Sequence, residues 1–149
     1  MEVTDDILKL MVREEKATVF QNDTLKVNFE KLFEKRVEPF TGFVYLLNSS
    51  CSFCVAQFLN FLSFLEKKDI NLSVVVIVED GGSVSAKFYM KQVGFDKFDK
   101  IEFTESSKGE IVSENLEYYS GIITYIVENK RIDSVRYEEI LSTAKVSEK

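Results

Sequence analysis

Histidine and tryptophan are absent from this 149-residue chain, and it contains a single proline, Pro39. Without histidine, the chain has no Cys–His nucleophilic pair, no histidine general base and no imidazole ligand for a metal. Cysteine is also scarce, because the chain has only Cys51 and Cys54. Two cysteines this close together are too few for a disulfide scaffold, so we expect them to have a chemical role.

Long apolar runs are missing as well. The longest, Leu72–Val78, has one serine inside it and is far shorter than the ~20 residues that span a bilayer, so we expect no membrane span. A net charge of −6 argues against a general affinity for nucleic acid or anionic membranes. The acidic start Met1–Asp6 does not resemble a secretory signal. We expect a cytoplasmic protein, or a periplasmic or membrane-tethered one if a signal has been removed.

The length and the 45% hydrophobic content suit one domain over the whole chain. We assign residues 40–145 to its core and residues 1–39 to an N-terminal extension or lead-in. Within the lead-in, Ala17–Phe20 is β-prone. The alternation of Leu25, Val27 and Phe29 suits a strand, while Phe29–Lys35 suits a helix equally well.

The core is predicted to begin with a strand, a helix and a second strand. Phe43–Leu47 is a continuous apolar run ended by Asn48-Ser49-Ser50, as in a strand buried on both faces. After the cysteines, apolar residues recur with a helical period to about Lys68. The β-branched run Leu72–Val78 then predicts another doubly covered strand.

A second helix is predicted to follow the turn and N-cap at Gly81-Gly82-Ser83. Val84, Phe88 and Val93 mark one of its faces, and Gly94 ends it. We assign Phe88 to the core, together with Phe58, Phe61 and Phe64.

The last third of the chain is predicted to hold a hairpin. Ile101–Phe103 suits a brief strand, and Thr104–Glu117 is polar, as in a loop. Ile122–Val127 and Arg131–Val135 then read as an antiparallel pair. Apolar residues between Tyr137 and Ala144 predict a closing helix.

This order of elements, with Cys-x-x-Cys between the first core strand and its helix, resembles the thioredoxin-like superfamily over residues 40–145. Asn48–Cys54 is similar to the active-site turn of its divergent bacterial thiol–disulfide oxidoreductases, relatives of the membrane-tethered cytochrome-maturation thioredoxins. Thr124–Glu128 resembles their T-F-L-I-D strand. The resemblance implies an α/β fold with a central mixed β-sheet flanked by helices, and a reaction that needs no cofactor.

The chemistry of such a pair follows from its place at a helix start. Unpaired N–H groups and the positive end of the helix dipole stabilise a thiolate, so we expect a lowered pKa for Cys51, the predicted nucleophile. Cys54 lies one turn later and is the predicted resolving thiol. Buried structural cysteines and half of a zinc site remain alternatives. Zinc needs about four ligands, so we expect no metal.

Three positions depart from the thioredoxin pattern. Ile123 stands where most members carry a cis-proline before Thr124, and we expect a trans bond there because a non-proline cis bond costs ~3 kcal/mol. Tyr45 stands where a buried acid is usual, and we interpret it as a core aromatic residue. Ser50 replaces a tryptophan that often precedes the first cysteine.

We predict that the substrate is a protein or small-molecule disulfide or dithiol. The predicted substrate-binding residues are Ser50, Phe53, Ile122, Ile123 and Thr124. The rival hypothesis, favoured by the missing proline and acid, is a non-catalytic binding module with a surface around Phe53, Ile122 and Ile123. A peroxiredoxin-like activity ranks last, because neither Thr-x-x-Cys nor an activating arginine lies near Cys51.

Overall fold

The computed structural model describes residues 18–19, 27–95, 98, 100–106 and 120–136. Within them lie three helices and a six-stranded mixed sheet of order β1-β6-β5-β2-β3-β4. The helices are α1 Phe29–Phe33, α2 Ser52–Lys67 and α3 Gly82–Gln92. The strands are β1 Thr18–Val19, β2 Gly42–Leu47, β3 Ser73–Val78, β4 Ile101–Glu105, β5 Ile122–Val127 and β6 Lys130–Arg136. The α/β class and the central mixed sheet are therefore confirmed.

The three strands β2, β3 and β4 are parallel neighbours, connected in turn by α2 and α3. Side chains alternate across a strand, so Phe43, Tyr45 and Leu47 share one face of the sheet. That face packs against α2 and against Ala86 and Met90 of α3 in one apolar cluster. Both crossover helices therefore cover the same side of the sheet.

The opposite face is covered by the chain that precedes β2. Val44 and Leu46 pack there with Phe33 of α1 and with Phe40. The helical alternative for Phe29–Lys35 is thus confirmed in its first five residues, and Asn28 caps the helix by accepting a hydrogen bond from the backbone N–H of Lys31. Because β2 is buried on both faces, its sequence is continuously apolar rather than alternating.

The predicted hairpin is confirmed as β5 and β6, which pair in antiparallel fashion. Its two turn residues, Glu128 and Asn129, have φ values of 49° and 68°, as in the primed turns that suit the twist of a two-residue hairpin. Asn129 also ties the turn to the chain before β2, because its Oδ1 accepts a 2.7 Å hydrogen bond from the N–H of Phe40. Inside the hairpin, the hydroxyls of Thr124 and Ser134 share a buried 2.7 Å hydrogen bond.

Helix α3 is confirmed, but the assignment of Phe88 to the core is wrong. Val84, Phe88 and Val93 are 75%, 56% and 53% exposed. A different face of the helix, with residues four positions apart, turns inward against the sheet. Its buried residues are Gly82, Ala86 and Met90. Phe58, Phe61 and Phe64 are buried as predicted.

The brief strand predicted at Ile101–Phe103 is confirmed, and it continues to Glu105 into the predicted loop. The loop residues 107–117, the first residues Met1–Val12 and the closing helix over 137–144 lie outside the described residues. None of the described helices combines the length and the apolar character needed to cross a membrane.

Candidate functional site

The two cysteines lie where β2 gives way to α2. Cys51 is the N-cap of α2, with extended backbone angles of −106° and 113°, and its Sγ accepts a hydrogen bond from the backbone N–H of Cys54 at 3.1 Å. Serine, threonine, aspartate or asparagine usually makes this contact. Here a sulfur atom satisfies one of the N–H groups that a helix start leaves unpaired.

Cys51 and Cys54 form a disulfide across the first turn of α2, with their Cα atoms 5.2 Å apart. Both cysteines are partly buried, whereas Ser52 and Phe53 between them are exposed, Phe53 by 52%. The structure thus brings together the predicted nucleophile and the predicted resolving thiol. Their separate roles stay predictions.

Reduction of the disulfide would leave Cys51 at a site that favours negative charge. The N–H of Cys54 already points at its sulfur, and the first turn of α2 contains no acidic residue to oppose a thiolate. The positive end of the helix dipole acts in the same direction. Both features favour the thiolate form of a reduced cysteine at a helix N-terminus.

The turn before Cys51 is held by hydrogen bonds to its backbone. Asn48 Oδ1 accepts from the N–H of Ser50 at 3.2 Å and from its hydroxyl at 2.7 Å. The carbonyl oxygen of Asn48 accepts from the N–H of Cys51 at 3.3 Å. Ser120, just before β5, reaches the same turn, since its Oγ accepts from the N–H of Asn48 at 3.0 Å.

Glu79 also binds this turn, and sequence reasoning missed it. Its Oε1 accepts from the N–H of Ser49 at 3.0 Å, and its Oε2 accepts from the Ser49 hydroxyl at 2.6 Å. Ser49 is only 4% exposed. Because Leu47 is opposite Val78 in the parallel β2–β3 pair, the residues after each strand meet at one edge of the sheet. No local pattern in the sequence shows this register, which explains why Glu79 was missed.

The start of β5 lies beside the turn, but its side chains point into the protein. Ile122 and Ile123 are 0% exposed, and Thr124 is 1% exposed. Among the described residues no peptide bond is cis, in line with the trans bond expected before Ile123. Substrate binding by these three residues and by the exposed Ser50 and Phe53 remains a prediction.

Tyr45 has the core role expected of it. It is 0% exposed, and its ring centroid lies 5.1 Å from that of Phe58 and 5.3 Å from that of Phe61. The side chain therefore belongs to the aromatic cluster between the sheet and α2.

A second residue that sequence reasoning missed is Gln57, three positions after Cys54 on α2. Gln57 is 2% exposed, and its Nε2 has no hydrogen-bond partner in the part of the chain that the structure describes. A helical period of apolar residues gives no sign that a glutamine among them is buried.

Metal ligation has no candidate within the described residues, where no three cysteine, aspartate or glutamate side chains are placed to hold an ion.

In comparisons with known proteins, no family, no curated protein and no solved structure matched this chain.

Proposed function

We propose that this protein is a thioredoxin-like thiol–disulfide oxidoreductase that cycles between the Cys51–Cys54 disulfide and the dithiol. The observation that carries the proposal is the position of Cys51 as the N-cap of α2, with its sulfur on the N–H of Cys54. A thiolate is the attacking species in disulfide exchange, and this position stabilises a thiolate. The order of elements from β2 to β6 supports the thioredoxin-like part of the proposal.

The exchange proceeds in two balanced steps. The Cys51 thiolate attacks one sulfur of a substrate disulfide, forms a mixed disulfide and releases the other sulfur as a thiolate, which takes a proton from water. The Cys54 thiol then loses its proton and attacks the Cys51 sulfur, which closes the internal disulfide and releases the second substrate thiol. Two electrons pass from the protein dithiol to the substrate, and the reverse sequence oxidises a substrate dithiol.

The partial exposure of the cysteines fits attack on a protein or small-molecule disulfide. Phe53, half-exposed between the two cysteines, is the side chain best placed to contact such a substrate. The same exposed ring also favours the second candidate, a binding module that holds a partner without exchange. The two candidates differ in whether Cys51 reacts faster than an ordinary thiol.

The test is alkylation of Cys51 by iodoacetamide across pH in the C54S variant, with C51S as the matched control. A fall in thiol pKa from ~8.5 to ~7 raises the thiolate fraction at pH 7 about 16-fold. The less basic thiolate is also a weaker nucleophile, which lowers its rate constant about fivefold. We therefore expect Cys51 to react about threefold faster than Cys54 at pH 7, with the midpoint of its pH–rate profile clearly below 8.5.

Wild-type protein equilibrated with glutathione should also reach a reversible ratio of disulfide to dithiol, and C54S should accumulate a mixed disulfide with glutathione at Cys51. A Cys51 midpoint at or above ~8.5 would contradict the oxidoreductase proposal and leave the binding module.

A further inference from the structure

Glu79, the residue that follows β3, contacts the turn before Cys51 through its side chain. Its two carboxylate oxygens bind the N–H and the hydroxyl of one residue, Ser49, at 3.0 and 2.6 Å. A carboxylate that accepts two hydrogen bonds from one residue fixes both the position and the orientation of that residue. Ser49 lies two residues before Cys51, so its placement limits where the Cys51 sulfur can lie.

We propose that Glu79 is a positioning residue for the cysteine pair, because its carboxylate holds the turn at which Cys51 Sγ meets the N–H of Cys54. This role rests on the proposed function. Hydrogen bonds weaken steeply when their angle is lost. Once the disulfide is reduced, the backbone of Cys51 holds its sulfur opposite the N–H of Cys54: the Cys51 carbonyl oxygen accepts from the N–H of Val55 at 3.0 Å, and the Cys51 N–H donates into the turn that precedes it. Release of Ser49 would let that sulfur move away from the helix start.

Gly82, the first residue of α3, shows how closely this arrangement is packed. A Cβ atom at Gly82 would lie 2.6 Å from Ser49 Oγ and 2.7 Å from Glu79 Cδ, so any side chain there displaces one of them. Alanine is otherwise better than glycine within a helix, by about 0.5–1 kcal/mol. The space beside Ser49 and Glu79, rather than the helix backbone, is therefore what requires glycine.

Two substitutions at Glu79 separate its hydrogen bonds from its charge. In E79Q, the amide oxygen can accept from the Ser49 N–H and the amide nitrogen can donate to the Ser49 hydroxyl oxygen. In E79A, both hydrogen bonds are lost. Both variants remove the negative charge, so the difference between them measures the hydrogen bonds alone. E66Q, which removes an exposed carboxylate from the far end of α2, is the control.

The readout is the midpoint of the Cys51 pH–rate profile with iodoacetamide, measured in the C54S background. We expect the Cys51 midpoint of E79A to lie about one pH unit above that of E79Q. This is the effect expected when the Cys51 thiolate loses its hydrogen bond from the N–H of Cys54. E66Q should match the parent, and G82A should shift the midpoint upward although it improves helix propensity. If E79A fails to fold, S49A, which keeps the N–H contact, should give a smaller shift in the same direction.

The outcomes distinguish the two proposals. If the parent midpoint lies below 8.5 and E79A and E79Q have equal midpoints, the positioning role is overturned and the proposed function stands. Where E79A does not fold, equal midpoints for S49A and the parent have the same meaning. A parent midpoint at or above ~8.5 overturns both. A structural role alone would lower the free energy of unfolding of E79A and leave its midpoint at that of E79Q.

Discussion

Gln57 offers the sharpest test of how the structure accounts for stability. Its side chain is 2% exposed on α2, and its Nε2 has no hydrogen-bond partner in the part of the chain that the structure describes. A buried donor without a partner forfeits its hydrogen bonds to water, which costs about 1–3 kcal/mol. An apolar side chain of similar size avoids that loss.

We therefore expect Q57L to raise the free energy of unfolding by about 1–2 kcal/mol. Leucine fills a similar volume and is at least as good a helix former as glutamine, so no propensity loss offsets the gain. For a chain of this size, such a change raises the melting temperature by about 3–6 °C.

The measurement is urea unfolding of the oxidised protein, followed by circular dichroism, with the slope m compared between variants. An unchanged m shows that the change lies in stability rather than in the unfolded state. The matched control is Q92L, the same substitution at an exposed position of α3, for which we expect a change within about 0.5 kcal/mol. A Q57L protein less stable than the parent would refute the reasoning, because it would mean that the amide has a partner.

Two further predictions concern the backbone around β2. In N129G, residue 129 keeps its positive φ but loses the side-chain hydrogen bond to the N–H of Phe40, so we expect the free energy of unfolding to fall by about 1 kcal/mol. N129A adds the strain of a left-handed residue, so the fall should be about 2 kcal/mol or more. Both values are measured by urea unfolding. In G42A, the new Cβ would overlap the carbonyl oxygen of Ser73, so we expect a loss of about 3 kcal/mol in the same assay. Equal free energies of unfolding for N129G and N129A, or a G42A protein as stable as the parent, would contradict these estimates.

The elements around the cysteines could be predicted because their signals are local. Uninterrupted apolar runs mark β2 and β3, since both faces of these strands are covered. The helical period after Cys54 ends at Lys67, within a residue of the expected end. The hairpin could be predicted from the β-prone runs on either side of Glu128-Asn129-Lys130, although β6 begins at Lys130 and leaves a turn of two residues.

The inward face of α3 and the role of Glu79 could not be predicted, because both depend on contacts between distant parts of the chain. Val84 and Phe88 are apolar residues of α3 and are exposed, because the face with Gly82 and Ala86 packs inward instead. The contact of Glu79 with Ser49 joins residues 30 positions apart and exists only because β2 and β3 are parallel and in register.

The reactivity of Cys51 should therefore depend on the contact between Glu79 and Ser49 rather than on the overall stability of the protein. Gly42 begins β2, whereas Ser49 follows its other end, roughly 20 Å away at ~3.3 Å per residue. A folded G42A protein should lose stability and keep the Cys51 midpoint, while G82A, which presses on Ser49 directly, should shift that midpoint. If the two variants moved the midpoint equally, the turn would respond to stability in general, and the specific contact with Glu79 would not set the position of the sulfur.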